Sequence, residues 1–205
     1  ANDFSIVASE AKAQTEAGAH MLDVNVGVAG GDEPRLIVEA MKVVMANTHL
    51  PLCIDSANPA ALEAALSIYP GKALVNSVTG EDDKLEKVLP LIAKYKAAVV
   101  CLCIGQDGIP DTAQGRLAVA KKIAARAATY GIPTEDLVFD CLCLACSTDA
   151  SSVRTTLDAI RMVHSELGSN MTLGVSNVSF GMPDRMKLNV AMLTMALANG
   201  VTCPI

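Results

Sequence analysis

Short apolar runs in this sequence end in side chains that can hydrogen-bond. Asp23 and Asn25 lie in 21-MLDVNV-26, Asp55 and Ser56 close 51-PLCIDS-56, and Asn76 and Ser77 close 73-ALVNS-77. Asp140 sits in 137-LVFDC-141, and Ser176 and Asn177 sit in 173-LGVSNVSFG-181. Carboxylates accept hydrogen bonds from N–H and NH₂ groups, and amides can serve both a carbonyl and a ring nitrogen. A flat heterocycle carrying amide and amino groups needs that set of partners. Taken singly, each residue is explained as well by helix capping or turn formation. That account is weaker for Asp55, Asn76, Asp140 and Asn177 together. Asp55 and Asp140 follow apolar residues directly, where a carboxylate without a partner is costly.

Other chemistries have less support. The sequence has no P-loop, and Gly27, Gly30 and Gly31 do not match the dinucleotide-binding spacing. There is no HExxH, and His20, His49 and His164 are far apart, which disfavours a histidine zinc site or a Ser-His-Asp arrangement. Cys101 and Cys103, and Cys141 and Cys143, are spaced by two, so each pair shares a strand face. A metal set of Cys141, Cys143 and Cys146 fits no zinc pattern well; thiols filling a tapering interior are the simpler reading.

The elements that position these residues alternate. Six apolar runs, 21–26, 51–55, 73–77, 98–104, 137–141 and 171–176, read as strands covered on both faces. Helical spacing occupies 3–19, 32–47, 58–69, 82–95, 112–130, 149–167 and 183–199, and Gly131, Gly168 and Gly200 are placed as C-caps. Repeated βα units imply a parallel sheet with right-handed crossovers. Polar residues at so many strand ends favour a closed TIM (β/α)8 barrel over an open sheet, because in a barrel those ends converge on one mouth. Six strands plus the start of another in 201-VTCPI-205 fall short of eight. The expectation is therefore a single barrel domain over 1–205, cropped from a barrel of about 250 residues.

Composition agrees with a globular α/β domain: 51% hydrophobic residues, 3% aromatic and 19% charged. The net charge of −6, with scattered Lys and Arg, argues against nucleic acid, and no apolar run is long enough to span a membrane. Seven cysteines, mostly inside apolar runs, read as reduced thiols of a cytoplasmic protein.

The stretches 18-GAHMLDVNVG-27, 51-PLCIDS-56, 74-LVNSVTGE-81, 108-GIPDTAQGR-116, 137-LVFDCL-142 and 173-LGVSNVSFGMPDR-185 carry a resemblance. The sequence resembles the pterin-binding barrel family of methyltetrahydrofolate:corrinoid protein methyltransferases and the folate domain of cobalamin-dependent methionine synthase. Dihydropteroate synthase is a more distant relative, since its phosphate-handling stretch is not evident in 24-VNVGVAGGDEP-34. The resemblance implies that Asp55, Asn76 and Asp140 hold the pterin ring and that Asn177 hydrogen-bonds around N5. It places Gly174, Ser176 and Arg185 in the same pocket, with Asn25 a further pocket residue and Arg185, then Lys187, near the glutamate tail. It also implies methyl transfer from methyltetrahydrofolate to Co(I) of a corrinoid. No DxHxxG stretch is present, so the cobalamin is expected on another domain or on a partner, a corrinoid protein or corrinoid iron-sulfur protein. Homodimers are common in the family. Three other readings stay open: a domain of methionine synthase, a barrel methyltransferase using a quaternary amine donor, and a non-catalytic pterin-binding module.

Overall fold

The computed structural model describes residues 4–27, 31–149 and 151–205. Strands and helices alternate along the chain. The strands are β1 (Leu22–Asn25), β2 (Leu52–Asp55), β3 (Leu74–Thr79), β4 (Ala98–Leu102), β5 (Leu137–Asp140) and β6 (Asn170–Thr172). The helices are α1 (Ser5–Glu16), α2 (Glu33–Asn47), α3 (Pro59–Ile68), α4 (Asp82–Tyr95), α5 (Ala113–Thr129), α6 (Ser152–Leu167) and α7 (Arg185–Ala198). The sheet follows the chain order, β1-β2-β3-β4-β5-β6, with no reversal. A doubly wound sheet would reverse its order at a switch point, so this order selects the barrel architecture.

The chain divides into two compact units: Ala1–Ser77 with Pro90–Val99, and Val78–Leu89 with Val100–Ile205. In the first unit, β1, β2 and β3 pair in parallel. α2 buries Ile37, Ala40, Met41 and Val44, a stripe at helical spacing, and α3 buries Ala61, Leu62, Ala65 and Leu66. Both helices start on side-chain caps that satisfy an otherwise unpaired N–H. Asp32 accepts from Arg35 N and Asn58 from Ala60 N, each with a proline in the first turn, where its missing N–H costs nothing.

In the second unit, β5 and β6 pair in parallel. α5 buries Leu117, Ala120, Ile123 and Ala127, and α6 buries Thr156, Ala159, Ile160 and Val163. α6 stops at Gly168, whose φ of +63° is the left-handed cap that its sequence position announces. Beyond α7, residues 202–205 run beside β6 without forming a regular strand. Thr202 N and Cys203 N donate to the Met171 carbonyl, Ile205 N donates to Leu173, and Val175 N donates back to Ile205.

Two strands end two or more residues before their sequence runs do. β4 ends at Leu102, after which Ile104 N turns back to the Leu102 carbonyl at 2.7 Å and Gly80 N donates to the Ile104 carbonyl at 2.8 Å. β6 ends at Thr172, and Val175–Ser179 is a 3-10 turn rather than strand. Ser176 and Asn177 therefore sit on a turn beyond the strand tip. Its bonds are local: Ser179 Oγ donates to the Ser176 carbonyl and Phe180 N to the Asn177 carbonyl.

Gly80 leaves β3 at a point where no side chain fits. A Cβ there would stand 2.6 Å from Val119 Cγ1 and 2.9 Å from the Ile104 carbonyl oxygen. Gly80→Ala is expected to cost about 1–3 kcal/mol through forced displacement of packed atoms. Urea unfolding checks this; an unchanged midpoint would show that the β3 exit yields freely.

Candidate active site

The first unit supplies a row of polar side chains through its register. Asn25 pairs with Asp55, and Asp55 with Asn76, while one step earlier Asp23 pairs with Cys53. Register partners on parallel strands present their side chains to the same face. On β1 burial alternates, with Leu22 and Val24 buried and Asp23 and Asn25 exposed, so both polar residues share that face. The Asn25 amide is committed at both ends: Nδ2 donates to Asp55 Oδ2 at 2.8 Å, and Oδ1 accepts from Gly27 N at 2.8 Å. Asn25 thus aims the Asp55 carboxylate. Ser56 turns away, donating to Glu33 Oε1 at 2.5 Å and accepting from Asn58 N, which makes it part of the α3 entry.

Sequence reasoning passed over Asp23 as a site residue. Its carboxyl pKa is raised, first by desolvation and then by the nearby Asp55 carboxylate, against hydrogen bonds with Cys53 and Asn76. Two carboxyl groups and two amides thus gather on one face.

The second unit builds its site around Asp140, at the end of β5. Leu137, Val138 and Phe139 are buried and Asp140 is half-buried. Asp140 Oδ1 accepts from Leu142 N at 2.6 Å, and the carboxyl also takes the Gly174 N–H. Burial nevertheless pushes its pKa up to about 6, against these two N–H groups and the charge of Arg116. A carboxyl poised this near neutrality is what a binding or proton-handling site calls for.

Asn177 is exposed, and its side-chain nitrogen stands over Gly174, where a Cβ would lie 3.6 Å from it. Arg185 braces the same turn. Its Nε donates to Ser179 Oγ at 3.0 Å, its Nη2 donates to the Ser176 carbonyl at 3.3 Å, and the guanidinium lies 4.9 Å from the centre of the Phe180 ring. Phe180, half exposed, is thereby explained as the stacking partner of that cation. Lys187 pairs with Asp184 at 2.9 Å on the surface.

Five of the seven thiols are buried in the packing. Cys53, Cys101, Cys103, Cys141 and Cys143 are buried, Cys146 is partly buried, Cys203 is exposed, and all seven are free. Burial pushes the Cys143 thiol up to about 11. Among the described residues no group of three or more His, Cys, Asp or Glu is placed to hold a metal ion. No helix among them is long and apolar enough to cross a membrane. The stretch 24–34, the expected place of a phosphate-handling segment, includes residues 28–30, which lie outside the described residues.

Known proteins resemble this chain in sequence and in fold. The sequence pattern of the family described as pterin binding enzyme matches residues 2–205. The chain belongs to the pterin-binding enzyme family. One relative in it is the methylcorrinoid:tetrahydrofolate methyltransferase of Eubacterium limosum, 30% identical over 97% of this chain and 74% of that protein. The methionine synthase of Mycobacterium tuberculosis is 31% identical over 89% of this chain, which spans only 16% of that longer protein. Dihydropteroate synthase from Stenotrophomonas maltophilia superposes with a TM-score of 0.75 over 96% of this chain and 79% of its own, at 21% identity. That likeness establishes the TIM-barrel fold of this pterin-binding family member.

The state of Asp140 gives a sign to its effect on stability. Its folded pKa lies above the ordinary 3.8, so the folded state holds the proton more tightly than the unfolded chain does. Stability then falls as pH rises from about 4 through about 6. Asp140→Asn is expected to raise the melting temperature at pH 7.5 and to lose that gain at pH 4. A variant less stable than the parent at pH 7.5 would show that the carboxylate's hydrogen bonds outweigh its burial.

Proposed function

We propose that this protein is a methyltransferase that exchanges a methyl group between N5 of tetrahydrofolate and the cobalt of a corrinoid protein. The observation that carries the proposal is the 30% identity to a methylcorrinoid:tetrahydrofolate methyltransferase over nearly the whole chain. Asn177, standing clear beside Gly174, supports it. In this reading Asp55, Asn76 and Asp140 take the amide, amino and ring-nitrogen positions of the pterin, with Asn25 holding Asp55 in place. Gly174 and Ser176 form the wall beneath Asn177, and Arg185 sets the turn that carries it.

The chemistry assigns Asn177 its task. In the forward direction the electron pair of Co(I) attacks the methyl carbon, the N5–CH₃ bond breaks, and its electron pair stays on N5. Methyl-Co(III) and tetrahydrofolate result once N5 gains a proton from solvent. Charge building on nitrogen is the obstacle, and an amide N–H aimed at N5 binds tighter as that charge grows. The amide does not titrate, so it supplies a hydrogen bond rather than the proton. The relative's name gives the reverse direction, methylcorrinoid to tetrahydrofolate. The same residues lower the same barrier both ways, and we propose methyltetrahydrofolate as donor. The match to methionine synthase favours a second reading, the folate-binding part of such a multidomain protein. We further propose a cytoplasmic homodimer served by a corrinoid protein, the setting in which its free thiols stay reduced.

Replacing Asn177 by alanine is expected to weaken methyltetrahydrofolate binding modestly and to slow single-turnover methyl transfer about tenfold or more, a loss of about 1.4 kcal/mol. Loss of Co(I) absorbance in stopped flow measures the transfer. Equal rates in variant and parent would remove Asn177 from the mechanism. No consumption of Co(I) by the parent would overturn the proposed reaction.

A further inference from the structure

Arg116 is the largest fully buried side chain among the described residues, 1% exposed on the inner face of α5. Its neighbours on that face are Ala113, Leu117 and Ala120, positions that packing alone would fill with apolar residues. A buried guanidinium is costly unless its N–H groups are satisfied. Here oxygens take up Nε and Nη1. Nε donates to the Pro110 carbonyl at 3.0 Å, and Nη1 reaches the carbonyls of Cys141 at 2.7 Å and Leu142 at 2.9 Å and the Thr156 hydroxyl at 3.1 Å.

The segment it grips is strained. Leu142 has a φ of +64°, a left-handed conformation unfavourable for a residue with a Cβ. Two donors hold its carbonyl, Arg116 Nη1 and Thr156 Oγ1 at 3.0 Å. Its N–H, turned the other way, donates to Asp140 Oδ1 at 2.6 Å. Strain held by surrounding bonds clusters where a structure must aim a group. The contacts run in one line: guanidinium to the Leu142 carbonyl, and the Leu142 N–H to the carboxylate.

The geometry points to Arg116 as a positioning residue that locks the left-handed turn at Leu142 and thereby aims Asp140 at the pterin. This inference rests on the pterin-binding role proposed above for Asp140. Arg116 does not touch the ligand. It acts through Leu142, and Thr156 is its second support on α6. A purely structural staple would occupy the same place, so the test needs a readout that stability alone does not move.

Methyltetrahydrofolate binding measured by calorimetry from pH 5 to pH 8 supplies one. The groups bearing on Asp140 are Arg116 from α5, the thiols of Cys141 and Cys143, and the N–H groups of Leu142 and Gly174. Of these only the carboxyl itself changes charge in that window, so binding by the parent is expected to weaken as pH falls through about 6. Removing a hydrogen bond to the turn loosens its hold on the carboxyl. Thr156→Val is expected to weaken binding about three- to tenfold at pH 7.5 and to move the acid limb to higher pH, while Thr156→Ser restores both. Arg116→Lys, whose single ammonium cannot span the same oxygens, is expected to act in the same direction and more strongly. Should Arg116→Lys fail to fold, the Thr156 pair decides, because valine keeps the shape of threonine. Binding strength and an acid limb equal to the parent's in folded Thr156→Val or Arg116→Lys would overturn the inference and leave the proposed function standing. A parent that does not bind methyltetrahydrofolate would overturn both.

Discussion

Asp140 closes a strand whose other three residues are buried, and a carboxylate in that position must be given donors or lose its charge. Much of the second unit is arranged around that demand. The Leu142 N–H is turned toward it by a left-handed backbone, and the Gly174 N–H comes from the loop after β6. The left-handed turn requires something to hold its carbonyl, and that requirement explains why α5 carries an arginine where an apolar residue would pack. The solution is incomplete: the carboxyl still holds its proton more tightly than a solvated one. An unfinished balance of this kind is common where a further hydrogen-bonding group is to arrive from outside the protein.

The first unit meets a related demand differently. Asp55 also ends a buried strand, but its carboxylate is held by the amide of Asn25 on the neighbouring strand, and Asn76 lies next in the same row. Parallel register does this work, since it fixes which residues stand side by side and on which face. One carboxyl is thus oriented by a turn and the other by a neighbouring side chain. Both arrangements hold the acceptor in place before any ligand is present, which limits the ordering that binding requires.

Much of this was legible in the sequence. Continuous apolar runs marked the strands, and Gly131, Gly168 and Gly200, all at positive φ, marked the ends of α5, α6 and α7. Polar residues at strand ends separated a barrel from an open sheet before any coordinates did. The end of β6 was not legible, because 171-MTLGVS-176 has the composition of a strand. It stops being one for non-local reasons, the pairing of residues 173–175 with the segment at 205 and the bonds within the 3-10 turn. Arg116 stood in a stretch that marked the family, and its own role was not read there. The signal was its place on the apolar face of α5, in step with Ala120, Ile123 and Ala127. Phe180 was equally opaque, since its partner Arg185 lies across a turn. Periodicity reads elements well. Contacts between residues distant in sequence need the fold.

The buried sulfurs have a use that packing does not suggest. Cys53 lies against Asp23, and Cys141 and Cys143 lie within the field of Asp140, so thiols neighbour carboxyls in each unit. Their raised pKa values and burial make them unreactive while the structure is closed. A thiol-modifying reagent would label Cys203 at once, but it would reach Cys53 or Cys141 only when the surrounding strands part. The rate of that slow labelling is a clock for local opening, read separately at each carboxyl. The chain thus carries native reporters of how firmly the carboxyls at these strand ends are enclosed, with no probe introduced.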